Sequence, residues 1–65
     1  MTTAEPIETI NDCMVASVAG AVTILNPPLG PMDRDKALRL AAWLVAVADP
    51  GGERFAEIRK AVLST

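Results

Sequence analysis

Leu40 to Ala48 reads LAAWLVAVA and contains no polar residue. Such a run inside a helix has to be covered on all sides, and in a short chain that demand constrains everything else. The helix itself is well signalled. Ala37, Leu38, Arg39, Leu40, Ala41, Ala42 and Leu44 are mostly strong helix formers. Asp33 is placed to cap the N-terminus, where a carboxylate accepts from an orphan backbone N–H. Met32 and Ala37 stand at the staple positions around that cap, and Asp35 lies in the first turn, where the dipole favours negative charge. Asp49-Pro50-Gly51-Gly52 closes the helix, since proline cannot continue it and glycine permits a turn. The pattern predicts a central helix over residues 33–48.

Only its first two turns are charged, through Arg34, Asp35, Lys36 and Arg39. Beyond them one face presents Leu40, Trp43, Leu44 and Val47, and the other Leu38, Ala41, Ala42, Val45 and Ala48. The run is shorter than the about 20 apolar residues that a membrane helix needs. Burial inside one small domain is one reading. The other has one side covered by the same chain and the opposite side by a second copy. Length favours sharing, because a domain of 65 residues buries only roughly 60% of its unfolded surface. Small folds usually add a staple. The single Cys13 cannot form an internal disulfide, and the absence of histidine removes the usual zinc sites. Oligomerisation is the device left, in keeping with an apolar fraction of 51%. Leu40, Trp43, Leu44 and Val47 are the expected oligomer interface.

The chain reads as a single small domain over residues 1–65, with Met1 to Pro6 as a loose tail. Residues 7–26 admit two readings. As a helix, Ile7, Ile10, Met14, Val18, Ala21 and Leu25 align at three- and four-residue spacing. As a hairpin, Cys13–Val18 and Ala21–Asn26 flank an Ala19-Gly20 turn, and Val15, Val18, Val22, Thr23 and Ile24 supply β-branched residues. In that register Val15, Ser17, Val22 and Ile24 share one face. Met14, Ala16, Val18, Ala21, Thr23 and Leu25 share the other. Asn26 to Met32, NPPLGPM, is too rich in proline for regular structure. Glu53 to Leu63 reads as a second helix with Phe55, Ile58 and Val62 as a buried stripe and Leu63 beside it. Glu57 and Lys60 are spaced for an i,i+3 pair, and Ser64 and Thr65 are expected to fray.

Ala37–Asp49, ALRLAAWLVAVAD, followed by Pro50, Phe55 and Ala61-Val62-Leu63-Ser64-Thr65, resembles small uncharacterised proteins of tailed bacteriophages that carry an Ala-Leu-x-Leu-Ala-Ala-Trp-Leu-Val signature. The resemblance covers roughly the last half of the chain, and Leu40-Ala41-Ala42-Trp43-Leu44-Val45 is its most specific part. In such proteins a Val/Thr/Ile-rich segment often precedes the signature, which implies a hairpin around Val18–Ile24. The expected fold is therefore α+β, a β-hairpin followed by two helices (ββαα), with an all-α three-helix domain as the alternative. The resemblance implies a phage source and no established reaction. Small phage proteins include inhibitors of host defence, and some are oligomers that hold nucleotide immune signals between subunits.

The residues argue against enzymatic chemistry. Histidine and tyrosine are absent, no serine or cysteine lies near a base in the sequence, and no glycine-rich phosphate loop is present. Asp33 and Asp35 are explained by capping and by the helix dipole, and Cys13 as a small buried hydrophobe. Trp43 reads as core or interface, with an indole N–H that needs a partner if buried. Neither metal nor cofactor is expected. The net charge of −2 and the lack of a basic stripe argue against a dedicated nucleic-acid binder. Glu5 and Glu8 replace the positive start of a signal peptide, and a lone cysteine fits a reducing compartment, so a cytoplasmic protein is expected. The expected role is stoichiometric binding as a homo-oligomer. An anionic ligand would need arginines converging at a subunit boundary. The candidates are Arg34, Lys36 and Arg39 on the central helix, with Arg54 and Arg59 on the second. The alternative is a structural or regulatory module that docks a host protein or DNA.

Overall fold

The computed structural model describes residues 7–65, and the expected N-terminal tail lies outside the described residues. Strands β1 (Val15–Val18) and β2 (Ala21–Ile24) are followed by helices α1 (Arg34–Ala48) and α2 (Glu53–Leu63). The fold is α+β with ββαα order. The strands are antiparallel, pairing Val15 with Ile24, Ala16 with Thr23, Ser17 with Val22 and Val18 with Ala21. Ala19 and Gly20 form the turn with φ of 51° and 81°, the positive values that a two-residue type I′ turn requires at both positions. Gly20 adopts this freely, and Ala19 does so at a cost of about 1 kcal/mol. The three-helix alternative is thereby excluded. Its helical spacing loses to the β-branched residues because the hairpin register turns Val15 and Ile24 together toward α1.

A β-turn leads into β1, with Met14 N–H donating to the Asn11 carbonyl at 3.0 Å. Met14 also has a positive φ, 52°, and pairing continues past the strands through Leu25 N–H to Met14 O and Asn26 N–H to Cys13 O. The Asn26 side chain donates to Asp12 O at 2.8 Å and ties the two ends of the hairpin together. Asn11 closes one edge: its Nδ2 donates to Val15 O and its Oδ1 accepts from Val15 N–H, at 3.0 and 2.9 Å.

The core is small. Among the described residues only Cys13 and Val15 are buried apolar side chains, at 3% and 4% exposure. Val15 opens β1, the strand that packs most on α1, and Cys13 lies two residues before it. Asp33 caps α1, its Oδ1 accepting from Lys36 N–H at 2.8 Å. No residue of α1 is fully buried. Leu40, Trp43, Leu44 and Val47 are half-buried, and Leu38, Ala42, Ala46 and Ala48 are exposed.

Three expectations for α2 need correction. Phe55, Ile58 and Val62, read as a buried stripe, are exposed, at 39% for Phe55 and 65% for Val62, and Leu63 beside them is exposed too. The reason is that α2 packs extensively on neither the hairpin nor α1. Glu57 pairs with Arg54 rather than Lys60, at 3.1 Å, since both i,i+3 neighbours are within reach on a helix. The last residues are tied rather than frayed, with Ser64 Oγ donating to Lys60 O and Thr65 Oγ1 to Val62 O.

Candidate functional site

Two apolar grooves flank α1. The first, about 560 Å³, lies between α1 and the extended segment before β1; Ile7, Glu8 and Thr9 form one wall and Leu38, Arg39, Ala42, Trp43 and Ala46 the other. Trp43 fixes this wall. Its indole Nε1–H donates to Thr9 O at 3.1 Å, so the polar atom of the ring is satisfied while its apolar body lines the groove. One turn earlier, Arg39 Nη1 stands 3.7 Å from Glu8 Oε2. Its Nε is shielded from solvent and has no hydrogen-bond partner among the described residues. A shielded donor of this kind is costly to leave unsatisfied, by about 1–3 kcal/mol.

The second groove, about 360 Å³, separates α1 from α2 and is lined by Ala41, Leu44, Val45 and Ala48 on one side and Arg54, Phe55 and Ile58 on the other. Asp49 builds it. Asp49 N–H closes α1 on Val45 O at 2.7 Å, and its carboxylate Oδ2 accepts from Phe55 N–H at 2.7 Å. One residue therefore ends α1 and caps α2. Gly52, the residue before α2, has φ 76° and no side-chain cap of its own, so Asp49 supplies what that position lacks.

The five candidate cations do not converge within one chain. Arg34 and Arg59 are exposed, and Lys36 is half-buried. Arg39 lines the first groove and Arg54 the second, on opposite flanks of α1. Each of the two pairs with an acidic side chain, Glu8 and Glu57 respectively. Residues 7–9, one wall of the first groove, are neither helix nor strand, so the helical spacing that begins at Ile7 gave no sign of this role. Asn11 and Asp12 ahead of a β-branched run are a legible turn signal.

Cys13 is buried and lines neither groove. Among the described residues no group of three or more Cys, Asp or Glu side chains converges, and no helix is long and apolar enough to cross a membrane. No family model matches this chain, and comparison with curated proteins and with solved structures gives no match.

Proposed function

We propose that this protein acts without catalysis, by stoichiometric binding, as a homo-oligomer whose copies cover one another's apolar surfaces. One observation carries the reading. Among the described residues two apolar side chains are buried, while Ile7, Ile10, Met14, Val18, Val22, Leu25, Leu29, Leu38, Phe55, Ile58, Val62 and Leu63 are all exposed. Scattered exposed apolar residues are normal, but large contiguous patches mark interaction surfaces. Native mass spectrometry of the purified protein tests it. A defined oligomer is the expected result, and a clean monomer rejects the reading.

The form of binding best supported by the charges is capture of an anionic ligand beside Arg39. Arg39 and Trp43 line the same groove, a guanidinium beside an aromatic ring. With the resemblance to phage proteins, the role we propose for such a site is anti-defence, the sequestering of a nucleotide signal in the host cytoplasm. Arg54 enters such a site only from a neighbouring copy, because the two arginines flank α1 on opposite sides. Arg39→Ala and Arg54→Ala should each abolish nucleotide binding in calorimetry while leaving the oligomer mass unchanged. Unaltered binding in both variants rejects the nucleotide reading. The almost wholly apolar lining of both grooves supports a second reading, a module that docks a host protein, which a pulled-down macromolecule with no co-purifying nucleotide would favour.

A further inference from the structure

The two edges of the hairpin differ. In an antiparallel pair, residues that exchange both hydrogen bonds alternate with residues whose backbone groups point away from the partner strand. The two-residue turn makes Val18 and Ala21 a bonded pair, so Ala16–Thr23 is the next bonded pair and Val15–Ile24 and Ser17–Val22 point outward. Asn11 corroborates this phase, since its side chain meets both the N–H and the C=O of Val15 on the outer edge of β1. The β1 edge is thus covered at Val15 by an amide that imitates a strand, which leaves Ser17 as its one open outward residue. On the β2 edge, the outward N–H and C=O groups of Val22 and Ile24 meet no hydrogen-bond partner among the described residues. Natural sheets guard such edges with charge, proline or a bulge. The β2 sequence, Ala21-Val22-Thr23-Ile24, has no charged residue and no proline.

We infer that the open edge of β2 pairs antiparallel with β2 of a second copy, about a two-fold axis at Thr23, to give a continuous sheet of order β1-β2-β2-β1. The occupant is a second copy because the edge is self-complementary. Val22 and Ile24 flank Thr23 symmetrically, so a two-fold places Val22 opposite Ile24 of the partner subunit, and each such pair exchanges both bonds. On the axis the two threonines face each other, a favourable cross-strand pair. The accessible surface of 5590 Å² exceeds the about 4,000 Å² of a compact monomer of this mass, so the chain has surface left for a second copy to cover. A two-stranded ribbon is marginal by itself, and a sheet of more strands backed by helices is not.

The pairing rests on the homo-oligomer reading, and the test separates the two. Val22→Pro removes the outward N–H of β2 at a position that donates nothing to β1, and Ser17→Pro does the same on the β1 edge. Masses of wild type and both variants are measured by sedimentation equilibrium, with far-UV circular dichroism as the check on fold. The expected result is an oligomeric wild type, an oligomeric Ser17→Pro, and a Val22→Pro whose self-association is weaker by on the order of tenfold to a hundredfold, because symmetry removes two bonds at once. Unchanged association in a folded Val22→Pro overturns the edge pairing and leaves the homo-oligomer standing. A monomeric wild type overturns both. Amide exchange on the wild type gives a second readout that needs no variant: Val22 and Ile24 amides should be protected in the oligomer and Ser17 should exchange freely. Fast exchange at Val22 and Ile24 in the oligomer likewise overturns the pairing.

Discussion

At the residue scale, a handful of polar side chains do the work that a larger core does elsewhere. Asn11 matters most. Its amide satisfies two backbone groups of Val15, one of only two buried apolar residues among those described. Truncation removes both bonds and leaves the amide and carbonyl of Val15 without their partners. Asn11→Ala should therefore cost roughly 1–2 kcal/mol, read as a lower urea midpoint with an unchanged slope. Very little of this was legible in the chain. An asparagine before a β-branched run signals a turn, but its reach to the residue four positions on depends on how the strand edge is oriented. The need of Trp43 for an indole partner was legible from its chemistry. That the partner is Thr9 O, far off in the sequence and outside any helix or strand, was not.

At the scale of elements, the hairpin and both helices follow from local rules. The Ala19-Gly20 turn, the β-branched flanks, the Asp33 cap and the Pro50-Gly51-Gly52 stop each act over a few residues, and each therefore leaves a mark in the sequence. What local rules do not carry is how far one element packs on another. The stripe of Phe55, Ile58 and Val62 has correct helical spacing for burial, yet spacing says which side of α2 is apolar and nothing about what covers it. Both helices hang on Asp49, whose backbone ends α1 and whose carboxylate caps α2. Because α2 gains little from packing, its helicity depends on this cap more than a buried helix would. Asp49→Ala should remove about 1 kcal/mol from α2 while leaving α1 and the hairpin in place. Residue-resolved amide exchange is the measurement, with faster exchange confined to Phe55 and the rest of the first turns of α2.

At the scale of the whole molecule the single chain is extended, with a radius of gyration of 13.8 Å against about 11 Å for a compact chain of this length. The apolar run Leu40–Ala48 demands cover on all sides, and one chain supplies it on only part of the helix: no residue of α1 is fully buried. The proposed homo-oligomer would resolve this conflict between sequence and isolated fold, and it has a thermodynamic signature that does not depend on which surfaces meet. If folded chains exist mainly as an oligomer, unfolding also dissociates it, and mass action makes the melting temperature rise with protein concentration. For two chains of this length, with an unfolding enthalpy of about 0.7 kcal/mol per residue, the rise is about 5 °C for each tenfold increase in concentration. A melting temperature that stays constant across a hundredfold dilution would mean that the chain folds alone and that its exposed apolar side chains wait for a different partner.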